Sequence, residues 1–539
     1  MSTTEGLAVP WWHRGVIYEI YVRSFYDANG DGVGDLAGIA QKLDHLCELG
    51  ADAFWITPFY PSPMADHGYD VANYVGVDPL FGTLADFDAL VRAAHARGLK
   101  VIVDLVPNHT SDEHPWFVES RRSRTSAKRD WYLWRDSAPD GSVPNNWLSV
   151  FGGPAWEWDA ATGQYYYHAF HRKQPDLNWR NPEVEAAMLE VMRFWLERGA
   201  DGFRVDVMWH LIKDAEYRDN PPNPLYQPGG SPYASILPVY STDQPEVHEI
   251  VRKMRALVDG YGERVLIGEI YLPVEQLVRY YGDRCGAHLP LNFQLISLPW
   301  LAPRISAAID VYEASLGEHD WPNWVLGNHD QPRVATRLGP AQARVAAMLL
   351  LTLRGTPTLY YGDEIGMPNV PVPIELAQDP QGRNLGLAHS RDPARTPLRW
   401  DAGPTAGFTK GVPWLPVGAA DASSVESQRR DPQSMLTLHT RLTALRRDAP
   451  ALHGGRYRPL HVDDAVFVFQ READGERYAI GLNFTSSPCV YAPEGVSLRG
   501  QVVLSTHLDR EGVRIDGALH LRPDEGLIVR LSSQGPSRS

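Results

Sequence analysis

The chain has 539 residues, 43% of them hydrophobic and 10% aromatic. Lys and Arg number 51 against 66 Asp and Glu, a net charge of −15 that argues against nucleic acid or an anionic membrane as a partner. The length exceeds one small core and calls for two or three domains, with room for a barrel of about 250–400 residues.

Short apolar runs alternate with amphipathic ones. The strand-like runs are VIYEIYVRSF (16–25), AFWITPF (53–59), KVIVDLVPNH (100–109), GFRVDVM (202–208), RVLIGEI (264–270), LPLNFQLI (289–296), WVLGNHD (324–330) and TPTLYYGDEIG (356–366). Helical patterns fall between most of them, at 84–97, 183–198, 244–258 and 341–354, and a last one follows at 434–448. Eight such repeats predict an α/β protein with a closed (β/α)8 TIM barrel. A doubly wound sheet is the weaker alternative, because no Gly-rich turn follows the first strand. Two stretches break the rhythm. Residues 110–174, rich in Trp, Asn, Gly and Pro, read as a small inserted domain after the third strand, and 367–433 reads as a long irregular excursion after the eighth. The predicted division is a barrel over 1–109 and 175–456, an inserted domain over 110–174 and a C-terminal antiparallel β domain over 457–539.

Cys47, Cys285 and Cys489 are far apart, form no metal-binding spacing and suit a reducing compartment. MSTTEGLAVPWWHRG at the N-terminus has no basic segment leading into an apolar run, and no stretch nears the roughly 18 apolar residues of a membrane span. A cytoplasmic monomer or homodimer without a membrane partner is expected.

Polar residues recur where strands end, and those ends share one pocket in a barrel. Asp66 and Tyr69 follow the second strand, Asp104 and His109 belong to the third, Glu269 ends the fifth, and His329 and Asp330 tip the seventh. Asp206 lies within an apolar strand, where an unpaired carboxylate is costly. The period of two places Arg204 on its side of the strand, able to keep it ionised. An ionised Asp206 suits a nucleophile, Glu269 a proton donor opposite it, and two carboxyls across one bond are the minimum for glycoside hydrolysis.

These segments are similar to those of the α-amylase family of glycoside hydrolases (family 13), in the branch of α-glucosidases and oligo-1,6-glucosidases. The resemblance rests on MADHGYDVANY (64–74), DLVPNHTSDEHPWF (104–117), QPDLNW (174–179), GFRVDV (202–207), GEIY (268–271), LGNHDQP (326–332) and RDPARTPLRWD (391–401). It implies a retaining mechanism with Asp206 as nucleophile, Glu269 as general acid/base and Asp330 as the third carboxylate. It implies that Arg204 orients the nucleophile and that His109 and His329 hydrogen-bond the sugar. Asp66 and Tyr69 would clamp its non-reducing end, with Arg395 the first choice and Arg391 the second for the arginine that pairs with Asp66 and closes the pocket. Phe151 and Phe170 resemble aromatic walls of the first subsites, core residues of the inserted domain being the alternative.

DANGDGVGD (27–35) offers oxygens from Asp27, Asn29, Asp31, Asp35 and the Val33 carbonyl, resembling the start of an EF-hand loop. The family resemblance implies one structural Ca²⁺ or Mg²⁺ here, a metal-free turn being the alternative, and it implies no organic cofactor. An exo-acting α-glucosidase on short α-glucosides is expected, maltose-like and α-1,4 by preference, with transfer to a sugar or alcohol acceptor. Val207 instead favours α-1,6 cleavage by resemblance. An oligo-1,6-glucosidase or a sucrose-acting enzyme is therefore the alternative, and a non-catalytic homologue the last choice.

Overall fold

The structure is a computed structural model that describes residues 9–419, 423–493 and 498–532. The first eight residues of the N-terminal segment read above lie outside the described residues, as do parts of the C-terminal β domain.

Eight parallel strands close into a barrel: β1 (Ile17–Ile20), β2 (Ala53–Ile56), β3 (Lys100–Leu105), β4 (Gly202–Val205), β5 (Val265–Ile270), β6 (Leu289–Asn292), β7 (Asn323–Val325) and β8 (Thr356–Tyr360). Seven of the eight fall within the predicted runs, β7 begins one residue before its run, and β1 pairs with both β2 and β8 to complete the ring. Seven of the eight are buried at every residue, and β3 is too after its first, as strands covered on both faces must be. Gly202 opens β4 because a Cβ there would stand 2.2 Å from the Val265 carbonyl oxygen. The parallel register places Asp104 beside Arg204 on neighbouring strands.

The predicted helices are present at Leu84–His95, Pro182–Glu197, Val247–Asp259 and Met435–Asp448. The helix predicted over 341–354 begins earlier, at Val334, but Gly339 (φ 79°) and Pro340 break it, so the regular part follows the break.

The stretch after β3 carries a three-stranded antiparallel sheet built from 134–135, 156–159 and 164–167, and a six-residue helix, Pro115–Ser120. Its Trp147, Trp156 and Tyr167 form a small core of their own. The C-terminal part is a six-stranded sheet beside a two-stranded one. Its first two strands, 456–462 and 466–473, are separate because Asp463 accepts the Ala465 and Val466 amides and turns the chain. Three strands of three or four residues (489–491, 514–517, 519–521) escaped the sequence pattern through their shortness. Cys47, Cys285 and Cys489 are free thiols. Among the described residues no helix is long and apolar enough to cross a membrane.

Candidate active site

A cavity of about 360 Å³ opens at the C-terminal ends of the barrel strands. Asp66, Tyr69, His109, Phe151, Phe170, Asp206, Glu269 and Asp330 all line it. Arg391 lines it too, whereas Arg395 lies beneath its wall, fully buried.

The floor is organised by Arg204. Its Nη1 lies 3.0 Å from Asp104 and 2.8 Å from Asp206, and its Nη2 lies 2.7 Å from Glu269. Trp55 and the Tyr69 hydroxyl each donate to the second Asp104 oxygen at 3.0 Å. Immediately after Asp206, Val207 adopts φ 38°, ψ 48°. A left-handed conformation at a β-branched residue costs about 1–3 kcal/mol and is held by its surroundings. Here it aims the Val207 amide at Glu269 Oε2, 2.9 Å away. Burial raises the carboxyls of Asp206 and Glu269, Arg204 pulls both back, and neighbouring carboxylates add to the rise. Asp104 is raised to about 7 by the same burial against the same arginine. One cation among three buried carboxyls leaves a proton to share, and Glu269 is in hydrogen-bonding contact with Asp206.

The far end of the cavity is shut by a second cluster. Arg391 Nη2 lies 2.7 Å from Asp66 and 2.7 Å from Asp379, and its Nη1 lies 3.3 Å from Asp330. This corrects the assignment of Arg395 to Asp66. The two arginines flank a short 3-10 turn, Asp392–Ala394, and only Arg391 reaches the cavity. Arg395 instead turns inward, donating to the His329 carbonyl at 2.8 Å and pairing with Asp330 at 2.8 Å. Burial alone would raise Asp330, yet His329, Arg391 and Arg395 hold it well below the usual carboxylate range. Asp379 is held low against burial chiefly by Arg391 and Arg395.

Between the clusters, His329 bonds Glu19 on β1 at 2.6 Å and the Tyr69 hydroxyl at 2.9 Å. Burial lowers the pKa of His329 and of His109, so both rings stay neutral at pH 7. Gln174 bridges Asp66 and His109, at 3.1 Å from each. Phe151 and Phe170 stand edge to face at 5.8 Å, and the Arg391 guanidinium lies 4.8 Å from the Phe151 ring centroid. Apolar and aromatic side chains make up much of the remaining lining: Val150, Val207, Trp209, Tyr233, Pro238, Tyr271 and Leu272.

Sequence reasoning missed three contributors. Glu19 was detectable, as a lone acid in an apolar strand like Asp206. Gln174 stood at the head of a quoted motif without a role. Asp379 lies where no periodicity exists.

In the 27–35 loop, Asp27 accepts the Gly30 and Gly32 amides at 2.6 and 2.7 Å, Asp35 caps the helix Leu36–Gln41, and Asn29 and Asp31 hydrogen-bond each other. The Val33 amide donates to Asp31 at 2.9 Å. Among the described residues no group of three or more His, Cys, Asp or Glu side chains is arranged to hold a metal ion.

A buried pair of carboxyls at the floor of a blind pocket, on a (β/α)8 barrel, defines the equipment of a glycosidase or transglycosylase. The α-amylase catalytic-domain model matches residues 19–455, and the chain belongs to that family. It is an enzyme of the retaining type that acts on α-glucosides. A probable α-glucosidase of Rhizobium meliloti (strain 1021) is 43% identical over 498 residues, covering 88% of this chain and 90% of that protein. An α-glucosyl transfer enzyme of known structure superposes with a TM-score of 0.92 at 41% identity, covering 97% of this chain and all of that one. An isomaltulose synthase mutant from Erwinia rhapontici NX5, solved with its natural substrate sucrose, gives a TM-score of 0.90 at 33% identity, covering 98% of this chain and all of that one.

Proposed function

We propose that this chain removes the terminal glucosyl unit of a short α-glucoside and passes it to a second sugar or alcohol in competition with water, with sucrose or an α-1,6-linked disaccharide as donor ahead of maltose. The observation that carries the reading is the blind end: Arg391, tied to Asp66, Asp379 and Asp330, bounds one end of the cavity that Asp206 and Glu269 line. The donor order departs from the expected α-1,4 preference because the sucrose-bound relative supports the alternative better, and the transfer enzyme supports passage of the glucosyl unit to an acceptor.

In this reading an Asp206 oxygen attacks the anomeric carbon while Glu269 gives its proton to the departing glycosidic oxygen. The acceptor hydroxyl then attacks that carbon, Glu269 takes its proton, and the bond to Asp206 breaks. Arg204 positions Asp206. Asp330, His109 and His329 bind the sugar hydroxyls, and Asp66, Tyr69 and Arg391 hold its non-reducing end. Phe151 and Phe170 wall the first subsites. Arg395 acts through Asp330, by holding it in place. The 27–35 loop, with its all-oxygen donor set of Asp27, Asn29, Asp31, Asp35 and the Val33 carbonyl, is suited to one structural Ca²⁺ or Mg²⁺. A rise in melting temperature with either ion after chelation tests it, and no rise with either removes the metal. The sparse free cysteines support a cytoplasmic setting.

The deciding experiment is time-resolved product analysis with sucrose, maltose and isomaltose at equal concentration. Early isomerised disaccharide or trisaccharide from sucrose is expected. Faster turnover of maltose, yielding glucose alone, would return the assignment to a hydrolytic α-1,4-glucosidase.

A further inference from the structure

A second concavity, of about 640 Å³, lies between the inserted region and the segments around Asn178, Arg180 and Tyr217, and shares no lining residue with the carboxylate pocket. Four guanidinium groups face it, from Arg124, Arg129, Arg135 and Arg180, against one carboxylate, Asp130. This is a local excess of positive charge on a chain whose net charge is −15. Two of the four are neutralised from outside the groove, Arg124 by Asp136 at 2.9 Å and Arg180 by Glu246 at 2.8 Å. The other two have no carboxylate within ion-pair distance among the described residues. Arg129 stacks 3.4 Å from the Trp134 ring centroid and donates to the Ser120 carbonyl, Thr162 and Gln164, while its buried Nε has no partner. Arg135 lies 3.6 Å from the Tyr217 ring centroid and makes one bond, to the Trp134 carbonyl.

Stacked on Tyr217 and bonded only to the Trp134 carbonyl, Arg135 keeps in-plane N–H groups for an acceptor, a fork that matches a phosphate in two-point contact. Arg129, whose Nη2 is committed to Thr162 and Gln164, adds mainly its positive charge. Burial lowers Arg129 to about 10, so it remains cationic at neutral pH. The asymmetry between paired and unpaired arginines calls for an anion at Arg129 and Arg135, and the volume exceeds what a bare phosphate needs.

We propose that this groove binds a phosphate dianion, free or as the monoester of a small metabolite, between Arg129 and Arg135. The site stands apart from the glycosidic reaction and does not depend on the donor assigned above.

Calorimetry on the full chain at fixed ionic strength tests it, with inorganic phosphate, glucose 6-phosphate and neutral glucose as probes. Saturable binding of glucose 6-phosphate is expected, weakened at least tenfold in Arg135→Gln and in part restored in Arg135→Lys. Arg135 is exposed, so its variants should melt with the wild type. Arg129→Gln is a second variant, used only if its melting temperature is preserved. Inorganic phosphate bound as tightly and with the same dependence on Arg135 supports the site and makes free phosphate its ligand. Binding unchanged in Arg135→Gln, or absent at millimolar concentration, overturns the proposal. So does binding that disappears with Asp66→Ala instead, which would put the ester in the catalytic pocket.

Discussion

Arg204 and Arg391 each gather three carboxylates, but Arg204 does so from strands and Arg391 from loops. Asp104, Arg204 and Glu269 lie on β3, β4 and β5, with Asp206 one residue beyond β4. Asp66, Asp330, Asp379 and Arg391 all stand on connecting segments. Strand register holds the first cluster under the proposed reaction centre, where small misplacements are costly. Loops shape the second, which limits what enters, and loops are where a barrel varies its specificity.

The largest expected effect comes from breaking the strand cluster. Arg204→Leu leaves three buried carboxyls without a cation, a change worth about 3–5 kcal/mol, and should lower kcat/KM on p-nitrophenyl α-glucoside by about a thousandfold. A loss below tenfold would remove the cluster from the reaction. Arg391→Ala should act mainly on binding, raising KM for disaccharides by about a hundredfold with a smaller change in kcat. If kcat fell as far as in Arg204→Leu, the contrast between the clusters would collapse. Asp379→Asn leaves Arg391 with Asp66 and Asp330, so a KM increase of about tenfold or less is expected from the same assay.

The smallest effect is on stability against pH, and the two clusters pull it in opposite directions. Asp330 and Asp379 are held below their unfolded value, so their contribution is present above about pH 4 and lost as pH falls further through their folded values. Asp104 is raised to about 7, so the folded state keeps a proton that the unfolded chain gives up, and stability falls as pH rises from about 4 to about 7. Melting temperature against pH should flatten over that upper range in Asp104→Asn and below about pH 4 in Arg391→Ala. Parallel curves for all three proteins would contradict these assignments.

The same contrast explains what was legible in the sequence. Alternation in GFRVDV put Arg204 and Asp206 on one side, and the structure places both at the cavity floor, because a strand has one register and two faces. Arg391 and Arg395 are four residues apart in a segment without periodicity, where spacing carries no direction, and the wrong one was assigned to Asp66. Asp379 was invisible for the same reason. The eight barrel strands were readable from continuous apolar runs, whereas the short strands at 489–491 and 514–521 offer too few residues for a period to show.

Closure of the barrel also sets a timetable. β1 finds its second partner only in β8, and His329 is held by Glu19, 310 positions earlier in the chain. Synthesis proceeds at about 5–20 residues per second, so the first strand waits with one edge unpaired until β8 has left the ribosome. A nascent chain released before Tyr360 would carry most of the residues named here and still lack a pocket. Such truncated chains should be targets for chaperones rather than weak enzymes.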